Sequence, residues 1–177
     1  MTLNDIIVEA LTELGRGHDQ MSIDSARRKF THFANDALCD IAATMKVYKT
    51  ESLRVNGSTI DTLQLSRPCL KVIFVTQDGF PLKFDIADGS GLICVGGRGL
   101  VDVTYRYVPR SLEIPSDVPE LPEYMHGLIV TYVVARERMS SDTSTQKGAS
   151  AYMEIYEMLK ARLISSGGDD CYIDNKW

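Results

Sequence analysis

The residues most able to do chemistry are few and scattered. The three histidines, His18, His32 and His126, fall into no HExxH or other metal-ligand spacing. His32 and Cys39 lie seven apart and share a helix face, but two ligands fall short of the three or four that zinc needs. "DGSGLICVGGRG" is rich in glycine yet is neither GxGxxG nor a GK[ST] phosphate loop, and no amphipathic helix follows it. Its glycines read as tight turns between strands. No GxSxG is present, and no serine has a histidine and an acid placed to activate it. Asp36 and Asp40 stand one helical turn apart, the spacing of paired carboxylates and equally of an ordinary solvated face. Arg136 and Arg138, in "ARER", sit where a helix should end, where they can oppose its dipole or reach a neighbouring subunit. This inventory points to no catalysis, no metal and no cofactor.

The elements that must position these residues are legible from periodicity. Leu3, Ile6, Ile7, Ala10, Leu11 and Leu14 have helical spacing, with Thr2 or Asn4 as cap and Gly15 and Gly17 as stop. A longer helix is expected from Ser22, with Ile23, Ala26, Phe30, Phe33, Ala34, Ala37, Leu38, Ile41 and Met45 on one face and Arg27, Arg28, Asp36 and Asp40 opposite. From Val47 to Val108 the period falls to two. Asn56-Gly57 and Asp78-Gly79 are hairpin signals, because both residues of each pair tolerate positive φ. Val101, Val103, Tyr105 and Tyr107 share a strand face, and five to seven mostly antiparallel strands are expected.

Four prolines, Pro109, Pro115, Pro119 and Pro122, then stiffen a connector. The next helix carries Met125, Leu128, Ile129, Tyr132 and Val133, widened by Val130 and Val134, and should be deeply buried. The last carries Ala149, Tyr152, Tyr156, Leu159 and Leu163, with Glu154, Glu157, Lys160 and Arg162 on its polar face. The predicted class is α+β. N- and C-terminal helix pairs (1–46 and 122–166) form one bundle, a small antiparallel sheet or sandwich (47–108) is inserted, a connector spans 109–121, and an extended tail occupies 167–177.

The bulk properties narrow the functional classes. A chain of 177 residues with 44% hydrophobic and 24% charged residues can bury a core without staples. A net charge of −5 argues against tight wrapping around nucleic acid. The first fifteen residues lack the basic start and apolar core of a signal peptide, and no run is long enough for a membrane helix. Cys39, Cys69, Cys94 and Cys171 form no CxxC pair and are expected to be reduced thiols.

Three segments resemble one family. "MTLNDIIVEALTELG" resembles the N-terminal helix of head-to-tail connector (adaptor) proteins of tailed bacteriophages, with its pattern hxxhhxxALxxLG. "VDVTYRYVPRSLEIPSDVPELPEYMHGLIVTYVVARERM" is similar to their middle, where a strand runs into a Pro-rich connector of the type hPxLPxxhHxLIxxYxxAR and then a buried helix. "ASAYMEIYEMLKARL" resembles their closing helix, and the resemblance covers residues 1–166. It implies a structural virion protein, made in the host cytoplasm and placed at the capsid vertex. There it would form a homo-oligomeric ring, commonly of twelve copies, docked under the portal protein. The ring would extend a channel through which DNA passes without sequence-specific binding, and would carry the next neck or tail protein. A weakly negative wall would let phosphate slide past. The readings left beside it are another neck or tail-completion protein and a small-molecule module using the β insertion.

The resemblance also suggests a use for the tail. The only tryptophan, Trp177, follows Gly167-Gly168 and Cys171, Tyr172 and Ile173. A glycine hinge would free these side chains to dock on the portal, since buried aromatics dominate interfaces. Arg136, Arg138, Tyr152 and Tyr156 are the candidates for contacts between subunits.

Overall fold

The computed structural model describes residues 1–17, 19–55, 57–87, 91–140 and 149–167. The protein is of the α+β class, with four α-helices and two small antiparallel sheets among the described residues. It divides into two compact units. One contains the described residues of Met1–Met45 and Pro109–Trp177, and the other contains Lys46–Val108.

The helical unit holds α1 (Leu3–Glu13), α2 (Gln20–Thr44), α3 (His126–Ser140) and α4 (Ala149–Gly167). Helix α3 is central and packs against the other three. The breadth of its apolar face has the consequence expected: Leu128, Ile129, Val130, Val133, Val134 and Ala135 are all buried. Helix α2 begins two residues before the expected Ser22, because Asp19 caps it, accepting hydrogen bonds from the amides of Met21 and Ser22 (both 3.1 Å). It ends where Lys46 adopts a positive φ of 51°, the left-handed stop that glycine usually provides.

The first turn of α1 shows how the connector is held. A helix leaves its first four N–H groups without internal partners. Here Leu3 N–H donates to Asp117 O (2.7 Å) and Asn4 N–H to Pro115 O (3.0 Å). The Asp5 N–H and the Thr2 N–H are taken by the reciprocal Thr2–Asp5 capping box. The Pro-rich segment thus supplies carbonyl acceptors to a helix end that has only donors. Asn35 of α2 fixes the same segment from another side. Its amide donates to Leu112 O (3.0 Å) and its Oδ1 accepts from Leu112 N–H (2.8 Å). His126 is buried, with Nε2 3.0 Å from Leu121 O and Nδ1 3.2 Å from the Met1 amino group.

The β unit contains β1 (Tyr48–Val55), β2 (Thr59–Asp61), β3 (Cys69–Gln77), β4 (Phe80–Leu82), β5 (Phe84–Ala87), β6 (Leu92–Val95) and β7 (Gly99–Tyr107). One sheet has the order β1-β7-β3-β4, the other β2-β6-β5. Their inner faces share one core of Val55, Ile60, Val72, Val75, Ile93, Val95, Val101, Val103 and Tyr105. The Asp78-Gly79 hairpin forms as expected, with φ of 51° and 82°, and pairs Gln77 with Phe80. The Asn56-Gly57 signal does not join partners. Strand β1 pairs with β7 and β2 with β6, so the chain changes sheets there. Local turn chemistry marks the reversal but cannot select the partner. That choice falls to the apolar face of β7, which pairs with β1 on one side and β3 on the other.

Because Leu112 is buried, replacing Asn35 leaves a backbone N–H and a C=O without partners. Asn35→Ala is expected to cost about 1–3 kcal/mol, read as a lower urea midpoint of the helical signal. An unchanged midpoint would show that the connector is held without it.

Candidate functional site

The last turns of α3 carry the charged run Arg136-Glu137-Arg138, and each side chain goes to a different neighbour. The Arg136 guanidinium lies over the rings of Phe33 on α2 (5.4 Å) and of Tyr132 (6.0 Å). Arg138 lies over Tyr152 of α4 (4.4 Å) and reaches the carbonyl of Glu13 (3.5 Å). Glu137 is buried, its side chain 6% exposed, and bridges Arg16 Nη1 (2.8 Å) and Lys29 Nζ (2.7 Å). Burial opposes its ionisation, but the Lys29 and Arg16 contacts outweigh that and hold its carboxyl below the usual range. Spacing explains the placement, since position 137 follows Val130, Val133 and Val134 along the buried stripe of α3.

Above Glu137 opens a cavity of about 180 Å³. Leu11, Ala26 and Phe30 give it apolar walls, and Arg16, Ser22, Ser25 and Lys29 line it as well. An open groove shares Ser25 and Lys29 with it and continues along α2 past Arg28 and His32. These residues are spaced as one stripe of a helix. The cavity is cationic at its mouth and by itself smaller than the about 300–1,000 Å³ that a drug-sized ligand takes, whereas the open groove beside it measures about 560 Å³. The cavity itself suits a single side chain.

A second cluster ties α4 to α2. Tyr156 Oη donates to Asp40 Oδ2 (2.5 Å), and Lys160 Nζ donates to the same oxygen (2.7 Å) and to Glu157 (3.0 Å). The Tyr156 ring meets Tyr132 edge-on at 5.1 Å. Burial, followed by the Asp40 carboxylate, raises the Tyr156 phenol far above its ordinary value. Burial opposes the charge on both Asp40 and Lys160, yet their mutual contact lowers the one and raises the other. Two expectations are corrected here. Tyr156 is fully buried within its own unit, so it is not a residue for contacts between subunits. Lys160, assigned to the polar face, is also buried, because it stands four residues from Tyr156 and opposite Asp40. Asp40 belongs to the same lock while its side chain stays 42% exposed at the edge of the helix face.

The β unit has its own polar cluster around Glu51. The Ser66 hydroxyl, the Ser66 amide (2.9 Å), Lys49 Nζ (2.9 Å) and Tyr105 Oη (2.8 Å) all contact its carboxylate. Lys49 Nζ also donates to Ser66 Oγ (2.7 Å). Burial opposes ionisation, but these donors prevail and lower the Glu51 carboxyl from 4.5 to about 2. Burial, with the carboxylate beside it, raises the Tyr105 phenol to about 12. The set joins β1, β7 and the turn at Ser66 as a clasp, with its serine, lysine and acid turned toward one another.

The remaining sequence candidates are placed as follows. Arg136, Arg138 and Tyr152 are half-buried and engaged inside the helical unit. Gly167, expected to begin a hinge, is the last residue of α4, which runs one residue past the expected end at 166. Gly168, Cys171, Tyr172, Ile173 and Trp177 lie outside the described residues. Sequence reasoning missed Glu137 and the cavity over it. The spacing of 130, 133, 134 and 137 was the available signal. Among the described residues, no group of three or more His, Cys, Asp or Glu could hold a metal ion, and no helix is long and apolar enough to cross a membrane.

No protein-family model matches the chain, and no curated protein matches it either.

The folded-state value of Glu51 lies below its ordinary one, so its contribution to stability is complete above about pH 4.5 and disappears as pH falls toward 2. Urea midpoints measured across that window on Glu51→Gln should lie below the wild type at neutral pH and converge on it at pH 2. A constant gap down to pH 2 would show that the clasp does not depend on the charge.

Proposed function

We propose that the chain is a structural neck component of a tailed-phage virion: a homo-oligomeric ring that docks under the portal, extends the DNA channel and carries the next neck or tail protein. In this reading the helical unit is a bundle made from both ends of the chain, and the strands are an insertion into it. The ring is assembled in the host cytoplasm and resides at the capsid vertex. DNA passes it without sequence-specific contact, as its acidic balance favours.

One observation supports this reading most. The segments that resemble the connector family lie far apart in sequence but meet in space. The start of α1 donates to the Pro-rich segment, Leu121 of that segment and the Met1 amino group both contact His126, and Arg138 of "ARER" contacts Tyr152 of the closing helix. The pattern is therefore one folded assembly of mutually satisfied groups. A chance scatter of apolar and proline residues would not need to converge in this way.

The test is the mass of the purified protein by light scattering, alone and mixed with a portal ring, followed by negative-stain imaging. The expected result is a ring, or a portal that gains a collar of about a dozen copies in closed cyclic symmetry. Deleting residues 169–177 should then abolish portal binding, because Tyr172, Ile173 and Trp177 supply the docking contacts. A monomer that leaves the portal unchanged would overturn the reading, and unchanged binding after deletion would overturn the role of the tail.

A further inference from the structure

The charge of the chain is divided unevenly between its two units. Lys46–Val108 holds eight Lys and Arg against six Asp and Glu, a net charge of +2, whereas the whole chain carries −5. The acid excess therefore lies in the other unit. Within the β unit most acids are turned to local work. Glu51 is held in its clasp, Asp61 Oδ1 accepts from Leu63 N–H (2.8 Å), Asp85 Oδ1 accepts from Ile86 N–H (2.9 Å), and Asp78 makes the hairpin turn.

The cations gather on one surface. Alternation along β1 and β7 turns Val55, Val101, Val103 and Tyr105 to the core and leaves the residues between them on the outer face of the four-stranded sheet. Register puts Tyr48, Arg106 and Lys71 in one row across β1, β7 and β3, and Thr50, Thr104 and Phe74 in the next. Arg54 stands further along β1, opposite Leu100. Lys71 and Arg54 are exposed, and no acid among the described residues pairs with either. Asp102 is the only acid among the described residues of this face, and the Ser52 hydroxyl donates to it.

Two aromatic rings lie open beside these cations: Tyr48 is 38% exposed and Phe74 46%. They sit on strands separated by β7 and one row apart, so their backbone positions are roughly 12 Å from each other and the rings cannot stack together. Between them the Thr50 and Thr104 hydroxyls bond each other (2.8 Å), a floor of short and satisfied side chains.

We propose that the outer face of this sheet binds single-stranded nucleic acid without sequence preference. Lys71, Arg54 and Arg106 face phosphates, and Tyr48 and Phe74 stack on unpaired bases. Charge complementarity selects a polyanion, and the open rings select one whose base faces are accessible. A duplex hides those faces and would use the cations alone. The inference goes beyond the neck reading and does not depend on it.

The experiment uses the full chain and the fluorescence anisotropy of a labelled oligothymidine of about twenty nucleotides, longer than the roughly 4–16 that one such site covers. The wild type should bind it at about 50 mM salt, and log affinity should fall against log salt with a slope of about −2, from about −0.7 for each of three phosphates. Lys71→Glu and Arg54→Glu should each weaken binding about fivefold or more and flatten that slope. Arg28→Glu, the same change of charge on the helical unit, should leave binding unchanged. Phe74→Leu keeps apolar bulk but loses the ring, and should weaken binding about fivefold or more, while Phe74→Tyr should bind like the wild type. Circular dichroism and urea midpoints of these variants should match the wild type, since all the positions are exposed. No binding at about 50 mM salt overturns the proposal. So does a duplex of the same length that binds equally well, or Phe74→Leu at wild-type affinity, because the rings then read no bases. If Arg28→Glu weakens binding as much as Lys71→Glu, overall charge and not this face is responsible, and the proposal falls as well. None of these outcomes touches the ring reading, which the mass on the portal decides separately.

Discussion

A buried carboxylate cannot be left alone in a low-dielectric interior, and Glu137 imposes that constraint on the helical unit. Its two cations come from separate places: Arg16 from the turn after α1 and Lys29 from α2. The pairing therefore does more than offset a desolvation cost. It fixes the register of three elements at once, because sliding any one of them would strand a charge. Net stabilisation from such a pair is modest, since burial takes back much of the Coulomb energy, and here both cations are nearly half exposed. Its consequence is positional. With Glu137 held, Arg136 must lie against Phe33 and Tyr132, and Arg138 must reach Tyr152 and the end of α1.

The opposite end of the unit follows a complementary logic built from neutral groups. A helix start offers N–H donors and lacks acceptors, whereas a proline-rich strand offers carbonyls and lacks donors. Joining Leu3 and Asn4 to Asp117 and Pro115 satisfies both deficits with one contact. That contact joins the segment's own bonds, from the Glu113 and Ile114 amides to Asp117 Oδ2 (2.7 and 2.9 Å), in keeping the connector on a defined path. Its outward acids and apolar side chains are thereby displayed in a fixed arrangement, which is what an interaction surface requires.

The sequence reveals the elements better than it reveals their partners. Periodicity identifies every α-helix described here, and Asp78-Gly79 identifies its hairpin, because these signals are local. Asn56-Gly57 marks a turn, but the strands on either side of it pair elsewhere, a choice made by long-range packing on β7. The charged positions are the least legible. Glu137 and Lys160 are written in the alphabet of exposed residues, and only their three- and four-residue offsets from Val134 and Tyr156 betray the buried face they occupy. Hydropathy assigns them to solvent. Helical geometry assigns them to the interior, and geometry prevails because a partner of opposite charge is waiting at each site.

The same competition sets which residues remain for function. Tyr156, Arg136 and Arg138 are the kinds of side chain that dominate interfaces, yet internal contacts engage all three. An arginine already stacked on an aromatic ring would have to give up that contact to serve a neighbour, so its surplus for binding is small. Among the described residues no aromatic ring or acid engages Arg28, and it stands exposed on the same helix as residues that form the cavity. For this molecule, then, aromatic and arginine content alone points to its internal staples. Residues able to bind something else are found by subtracting the internally engaged ones first, and among the described residues of the helical unit that subtraction leaves such side chains as Arg28 on α2 and the exposed Glu113 and Glu123 at the connector.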